Sequence, residues 1–217
     1  MFGVIYTLHQ VSELYGFDLI KDISDSKKRS RMEILIIDDD SFPFADNLRK
    51  IGFRLTEKKD IEDIQDVQPY QIVLCDINGV GKTISSSHQG AYLSQQIKIK
   101  YPEKYVVVYS ADPTKMESQK YLNSVDKNIP KGTSLEDWSE ILDEAINELV
   151  DPVSVWKKTS LCLFRANVST KDIAILEDRY VRKIKKKRYD EVGSLVVNYT
   201  EALTILASFV KIIKMFI

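Results

Sequence analysis

Short apolar runs at regular intervals constrain the fold of this chain more than any other feature of its sequence. Between residues 32 and 150 they alternate with stretches of helical periodicity. Strands that alternate with helices predict a parallel sheet with helices on both faces, and strands that are apolar throughout fit its central positions. The predicted strands are residues 33–37, 53–56, 72–75, 105–109 and 125–129. The predicted helices between and after them are residues 44–51, 61–67, 90–100, 114–121 and 135–149.

Charge divides the 217-residue chain in a way that its net charge of -1 conceals. Residues 32–150 carry a net charge of -8, whereas residues 151–217 carry +6. This asymmetry predicts a boundary near Asp151, where a helix-capping acid precedes a proline. We therefore expect three parts. The first is an N-terminal extension at 1–31, with a short helix and a solvated basic linker at 27–31. The second is an α/β domain at 32–150, and the third is a helical region at 151–217.

The helical region ends in a heptad pattern of apolar residues. Val192, Tyr199, Leu206 and Ile213 recur every seven residues, and a second set is offset by four. The pattern predicts one helix from about residue 190 to the end, packed against a partner helix. The partner is either a second copy of the chain, which would give a homodimer through 190–217, or another part of the same chain.

Four of the apolar runs are closely followed by residues that can bind metal or phosphate. Because the carboxyl ends of parallel strands meet at one edge of a sheet, where ligands bind, we expect these side chains to lie close together. The residues are Asp38, Asp39 and Asp40 after the first run, then Asp76, Ser110 and Lys131 after the later ones.

Crowded carboxylates at such an edge raise one another's pKa unless a cation lies between them. Mg²⁺ suits this setting, because it prefers oxygen ligands and uses one or two carboxylates together with waters and phosphate oxygens. We expect Asp39 and Asp76 to bind it directly and Asp38 to bind directly or through water. The backbone carbonyl of Asn78 completes the expected ligand set.

Asp76 is then positioned to act as a nucleophile. Attack of a carboxylate on a phosphoryl donor gives an aspartyl-phosphate, and this reaction depends mainly on positioning and charge neutralisation. Lys131 and the metal would neutralise charge, and Ser110 would donate a hydrogen bond to a phosphoryl oxygen.

Four motifs resemble the receiver domain of bacterial response regulators, over about residues 32–150. They are IIDDD (36–40), LCDIN (74–78), YSA (109–111) and IPKG (129–132). The resemblance implies a five-stranded, doubly wound parallel sheet of order 2-1-3-4-5. It also implies that Asp38 and Asp39 form the metal-binding acid pair, that Asp76 accepts phosphate from a histidine kinase or phosphotransfer protein, and that Ser110 and Lys131 contact the phosphate.

The chain departs from the family pattern at two places. The loop at 78–90 is longer than usual and rich in glycine and serine, which indicates a mobile partner-binding loop or lid. Asn128 occupies the place of the family's aromatic switch residue, three positions before Lys131, so the usual coupling of hydroxyl and aromatic ring is in question.

Other interpretations stay open. A degenerate receiver would act as a constitutive protein-binding scaffold. A haloacid-dehalogenase-like phosphatase would use Asp38 and Asp40, but it needs a late acidic pair that the sequence does not offer. A nucleotide-binding P-loop at 79–83 would need glycine where Asp76 stands. The receiver interpretation describes a signalling protein that modifies its own aspartate and is not a turnover enzyme.

A basic run at 182–188 is the main positive feature of the helical region. It is typical of a solvated helix face, with an anionic partner as the alternative. Nucleic acid is a weak expectation, because no base-reading motif accompanies the run. The uncharged stretch 202–210 is too short for a membrane span. The N-terminus has no secretory signal pattern, so a cytoplasmic location is expected.

Overall fold

The computed structural model describes residues 8–85, 87–111 and 120–216. Within them, contacts divide the chain into two compact units, which are residues 22–147 and residues 8–21 together with 148–216. These units reflect packing, so the partition of function into 1–31, 32–150 and 151–217 stays a prediction.

A five-stranded parallel sheet forms the centre of the first unit. Its order, β2-β1-β3-β4-β5, confirms the order implied by the receiver resemblance. The strands are β1 (Glu33–Ile37), β2 (Arg54–Lys58), β3 (Ile72–Asp76), β4 (Tyr105–Ser110) and β5 (Lys127–Pro130).

The composition of each strand explains its place in the sheet. Every residue of β3 and β4 is buried, because side chains on both faces are covered by other elements. Such strands can only be central. Strand β2 has exposed and half-buried residues and lies at one edge, and the short β5 lies at the other.

Helices accompany the strands of this unit. They are α1 (Asp25–Arg29), α2 (Ala45–Lys50), α3 (Gln89–Lys100) and α4 (Leu135–Val150). The predicted helix at 61–67 is only a single 3-10 turn, Ile64–Val67, capped by the side chain of Asp63. The helix predicted at 114–121 falls almost wholly outside the described residues.

The prediction of a solvated linker at 27–31 was wrong, because α1 occupies part of it. Arg29 donates from Nε and Nη2 to the two carboxylate oxygens of Asp143, at 2.9 and 2.5 Å. Its guanidinium also lies 4.7 Å from the centre of the Phe53 ring. A run of charges does not reveal a pairing partner more than a hundred residues away, so the sequence pattern alone suggested solvent.

The second unit is helical, as predicted. Its helices are α5 (Pro152–Arg165), α6 (Thr170–Lys185) and α7 (Thr200–Lys214). The predicted cap at Asp151 is present, and α6 has a cap as well. The Asp151 carboxylate accepts hydrogen bonds from the first turn of α5, and Ser169 Oγ accepts one from the backbone of Asp172 in α6.

The prediction of one continuous helix from residue 190 was wrong. Two 3-10 turns, Tyr189–Glu191 and Gly193–Val196, precede α7, which begins only at Thr200. Gly193 lowers helix propensity at the interruption, and Tyr199 has an extended backbone. Helix α7 packs against α5 of the same chain. The intramolecular partner left open by the heptad is therefore present.

The N-terminal residues pack with this helical unit. The backbone N–H groups of His9 and Val11 donate to the carboxylates of Asp178 and Glu177, at 2.9 and 2.6 Å. Leu14 is fully buried. Of the predicted N-terminal helix, the described part forms one 3-10 turn, Val11–Leu14, and residues 1–7 lie outside the described residues. No helix in the described ranges is long and apolar enough to span a bilayer.

Candidate functional site

The carboxyl-terminal edge of the sheet collects the predicted site residues. Parallel register places Asp76, the last residue of β3, beside Tyr109 of β4, and Ser110 beside Pro130 of β5. The backbone N–H of Lys131 then donates to the carbonyl oxygen of Ser110 at 2.9 Å, which extends the β4–β5 pairing by one residue. The sheet therefore positions groups that are far apart in sequence.

Asp76, Lys131 and Asp38 meet at this edge. Lys131 Nζ lies 2.5 Å from Asp76 Oδ2 and 3.8 Å from Asp38 Oδ1. The Asp76 and Asp38 side chains are only 2% and 5% exposed, whereas the Lys131 side chain is 33% exposed and reaches solvent. One ammonium group thus faces two buried carboxylates.

Burial and pairing have opposite effects on these groups. Burial raises the pKa of Asp76 above its ordinary value, and the hydrogen bond from Lys131 opposes this shift without cancelling it. For Lys131, burial would lower the pKa, but the bond to Asp76 and the charges of Asp76 and Asp38 outweigh it and raise the pKa. The lysine therefore stays charged at neutral pH beside a carboxyl group that is costly to ionise.

Tyr109 is a site residue that the sequence analysis missed. Its hydroxyl donates to Asp38 Oδ2 at 2.8 Å, and burial together with the Asp38 charge raises its pKa far above the ordinary value. Its ring packs edge-on against Phe42 and Trp138, with centroids 5.7 and 5.5 Å away. Because Tyr109 lies in an apolar run, the sequence alone predicts that it is a core residue. Its hydroxyl, one position before Ser110 at a strand end, was the available signal.

Asn78 links the acceptor strand to the serine. Its backbone N–H donates to Asp76 Oδ1 at 3.2 Å, and its side-chain amide lies 3.4 Å from Ser110 Oγ. Ser110 is buried, with 1% of its surface exposed. Asp76, Asn78 and Ser110 thus share one short hydrogen-bonded connection across the strand ends.

The three consecutive aspartates form a compact set of oxygen donors. Among the described residues, one carboxylate oxygen from each of Asp38, Asp39 and Asp40 lies within 4.8 Å of the other two. Asp40 N also donates to Asp38 Oδ1 at 3.1 Å. An all-oxygen acidic set fits a hard divalent cation such as Mg²⁺. Asp40 was not in the predicted ligand set, whereas Asp76, which was, contacts Lys131.

Gly79 allows the Asp39 carboxylate to lie against the backbone. Its φ is +84°, a conformation that favours glycine, and a Cβ built on it would lie 2.1 Å from Asp39 Oδ2. Any side chain at residue 79 would therefore displace Asp39.

The loop at 78–90, predicted to be mobile, makes hydrogen bonds both within itself and to its surroundings in the described part of it. Gly79 N donates to Gln89 Oε1 at 2.6 Å, and Gly81 N donates to Asp60 Oδ1 at 2.7 Å. Val80 is fully buried in the core of the sheet unit. The backbone of Gly90 is so close to β3 that a Cβ there would lie 1.8 Å from the Asp76 carbonyl oxygen.

Asn128 lies on edge strand β5, where its Cα pairs with Val108 and its side chain is exposed. No aromatic ring stands at this position. The ring of Tyr109 lies close to the site instead, with its centroid 5.8 Å from Lys131 Nζ.

Several solved structures similar to this chain are described as receiver domains or response regulators. A CheY-like receiver domain from Methanospirillum hungatei JF-1 is 18% identical, with a TM-score of 0.43, over 54% of this chain and 95% of its own. A response regulator from Thermotoga maritima is 19% identical, with a TM-score of 0.42, over 53% and 97%. The receiver domain of an HD domain-containing protein from Pseudomonas fluorescens Pf-5 is 16% identical, with a TM-score of 0.46, over 55% and 97%.

At these identities the likeness concerns the fold of about half the chain. No protein-family model matches the sequence, and a search of curated proteins gives no match. The receiver-type fold expected from the sequence motifs is confirmed by the strand order, and the roles of individual residues remain to be argued from the site itself.

Proposed function

We propose that residues 32–150 act as the phosphoacceptor receiver of a response regulator, with Asp76 as the acceptor. One observation carries the proposal, which is the meeting of Asp76, Lys131 and Asp38 at the sheet edge with Lys131 Nζ 2.5 Å from Asp76 Oδ2. The donor would be a histidine kinase or phosphotransfer protein. The protein would be a cytoplasmic signalling protein and not a turnover enzyme.

The reaction is a transfer of one phosphoryl group. A carboxylate oxygen of Asp76 forms a bond to phosphorus, and the bond between phosphorus and the donor's histidine nitrogen breaks, with its electron pair leaving on the donor. Lys131 would offer its ammonium group to the phosphoryl oxygens, and Ser110 Oγ would hydrogen-bond one of them. This chemistry depends mainly on positioning and charge neutralisation, which Lys131 would supply once it moves off Asp76.

A divalent cation fits the acidic set beside Asp76. Asp38, Asp39, Asp76 and the backbone carbonyl of Asn78 are the proposed ligands, and Asp40 belongs to the same cluster of oxygen donors. When bound, Mg²⁺ would neutralise charge on the phosphoryl group and on the crowded carboxylates. Tyr109 would hold Asp38 in place through its hydrogen bond to Oδ2.

Mass spectrometry after incubation with acetyl phosphate and Mg²⁺ tests the proposal. The expected product carries one added phosphoryl group that hydroxylamine removes. Asp76→Asn should abolish the adduct, whereas Glu62→Gln, which changes an exposed acid elsewhere in the sheet unit, should leave it intact. An unmodified wild-type protein, or an adduct that survives Asp76→Asn, would contradict the assignment.

A second candidate is a constitutive scaffold with a receiver fold. It is favoured by the burial of Asp76, whose side chain is 2% exposed and covered by Lys131. Asp76 must be uncovered before a donor phosphorus can approach it. A scaffold would bind its partner equally well with and without acetyl phosphate, and Asp76→Asn would not change that binding.

The helical region is proposed to carry the output, through protein contacts and a homodimer at 190–217. Most of its apolar stripes are buried within the chain, and Leu203 and Val210 of α7 stay half-buried. A dimer would use this remaining face. Sedimentation velocity with and without acetyl phosphate tests it, because Leu203→Lys should dissociate a dimer, and a wild-type monomer in both states would exclude one.

A further inference from the structure

A cleft lined by basic residues lies in the helical unit, and the phosphoacceptor chemistry does not involve it. This open cleft has a volume of about 410 Å³, which falls within the range of roughly 300–1,000 Å³ typical of small-molecule sites. Its lining residues are Arg179, Arg182, Lys183, Lys186, Arg188, Ser194 and Leu195. Five of these seven residues are cations.

Two features of local structure build the cleft. Arg179, Arg182, Lys183 and Lys186 follow the spacing i, i+3, i+4, i+7, which places them on one face of α6 and its first residue beyond. The remaining residues come from the segment at 188–195, where the chain forms 3-10 turns and so returns toward α6. The interruption of the predicted long helix thus creates the opposite wall.

Nearby acids neutralise only part of this charge. Glu191 Oε2 lies 2.7 Å from Lys183 Nζ, and Glu191 Oε1 lies 2.5 Å from Arg188 Nε. Asp178 pairs with Nε of Arg182 at 3.0 Å. Five cations and two acids leave a local charge of about three, in a concave site whose walls focus the field.

Several hydrogen-bond donors in the cleft are not used. The side chains of Arg179 and Lys186 make no hydrogen bond or ion pair with other described residues, and Arg182 uses only Nε. The hydroxyl of Ser194 already donates to the carbonyl of Glu191, so the donors available for a ligand are cationic. Arginine forks of this kind match phosphate geometry.

Stabilisation of the helix dipole is the simpler explanation for basic residues at a helix end. Cations do favour the last turn of a helix, but the effect falls off within that turn. Arg179 lies a turn further in, and Arg188 lies beyond the helix on the opposite wall. The dipole therefore accounts for Arg182 and Lys183 but not for cations on both walls of the cleft.

We propose that this cleft binds a small ligand with several phosphate groups, such as a polyphosphate or a nucleoside triphosphate. Its net positive charge and unused arginine and lysine donors favour multiple anionic oxygens, and its volume of about 410 Å³ fits a small molecule. Leu195 supplies an apolar wall for a non-phosphate part of the ligand.

Isothermal titration calorimetry of the full chain with inorganic tripolyphosphate and with ATP tests the proposal. Saturable binding with one site per chain is expected, weakening as salt is raised. Arg179→Ala combined with Lys186→Ala should weaken the affinity at least tenfold. Lys171→Ala combined with Lys211→Ala removes the same charge from exposed positions outside the cleft, and we expect less than a twofold change.

Three outcomes would overturn the proposal. They are no binding of either probe at about 1 mM, equal affinity loss in the two double variants, and binding of a DNA or RNA duplex far tighter than that of tripolyphosphate. The last outcome would assign the basic cleft to a nucleic-acid surface. Circular dichroism of both double variants checks that they are folded. We expect both to fold, because each changes only exposed side chains.

Discussion

The acidic sheet edge and the basic cleft both concentrate like charges, but they tolerate the repulsion differently. At the edge, Asp38 and Asp76 are buried and share the single ammonium group of Lys131. In the cleft, five cations stay accessible to solvent, and two acids pair with three of them. Burial fixes geometry at the edge, whereas exposure leaves donors unused in the cleft.

This difference indicates what each region is suited to do. A buried, hydrogen-bonded carboxylate has one position and a shifted pKa, which suits covalent chemistry at a defined atom. Accessible cations on long, flexible side chains can adjust to a ligand, and they are solvated again when the ligand dissociates. Substitutions should therefore affect folding stability strongly at the edge and ligand affinity mainly in the cleft.

The largest effect is expected from Gly90→Ala. A Cβ at residue 90 would lie 1.8 Å from the Asp76 carbonyl oxygen, so α3 and β3 must separate. We expect the free energy of unfolding to fall by about 3 kcal/mol. Gly132→Ala, where a Cβ would meet nothing within 4 Å, should change it by less than about 0.5 kcal/mol. Urea denaturation compares the two, and similar losses would contradict the close packing at the edge.

Tyr109→Phe should have the next largest effect. It leaves Asp38 Oδ2 without its 2.8 Å hydrogen bond while keeping the ring between Phe42 and Trp138. A buried acceptor left unsatisfied should cost about 2 kcal/mol of unfolding free energy. The matched control is Tyr92→Phe, which removes a hydroxyl that makes no hydrogen bond in the described structure. Equal stability of the two variants would show that Tyr109 does not hold Asp38.

Asp76→Asn should stabilise the protein at neutral pH, because burial disfavours the ionised carboxylate in the folded state. The pKa of Asp76 is raised in the folded state, so its proton binds more tightly there. Its contribution to stability is present below the unfolded pKa and is lost as pH rises through the folded pKa.

The advantage of the Asn variant should therefore shrink as pH falls below the ordinary aspartate range. Thermal denaturation of both proteins as a function of pH measures this trend. Glu62→Gln should show no such pH-dependent difference. A gain that grows as pH falls would mean that the lysine pairing outweighs burial at Asp76.

Glu191→Gln is expected to have the smallest effect, and it should appear in binding more than in stability. It releases Lys183 and Arg188 from their carboxylate partner and raises the charge of the cleft. We expect tripolyphosphate to bind about threefold tighter, with little change in the thermal midpoint. Glu201→Gln, an exposed acid on α7, is the control. Weaker binding would show that Glu191 organises the cleft.

The sheet edge was largely predictable because parallel strands impose it. Once β1, β3 and β5 are assigned from their apolar runs, the convergence of Asp38, Asp76 and Lys131 follows from topology. The hydroxyl of Tyr109 was not predictable in this way, because an aromatic residue in a buried strand is usually core. Its partner depends on the register between strands.

The remaining departures from prediction arose from contacts between distant parts of the chain. In the sequence, Arg29 belongs to a charged stretch typical of a linker. Only the structure shows that Asp143 lies beside it. The opposite wall of the basic cleft exists only because the helical structure is interrupted around Gly193. The heptad pattern of apolar residues does not reveal that interruption. Periodicity identifies which face of a helix is apolar, but tertiary packing decides where the helix begins.

The packing of residues 8–21 on helices near the other end of the chain bears on how the protein is made. The ribosome releases these residues early, but α5 and α6 emerge only after the whole sheet unit has been synthesised. Leu14 therefore stays exposed to solvent while the sheet unit forms, and the helical unit folds after the sheet unit. Co-translational folding would thus complete the sheet unit before α5, α6 and α7 are synthesised.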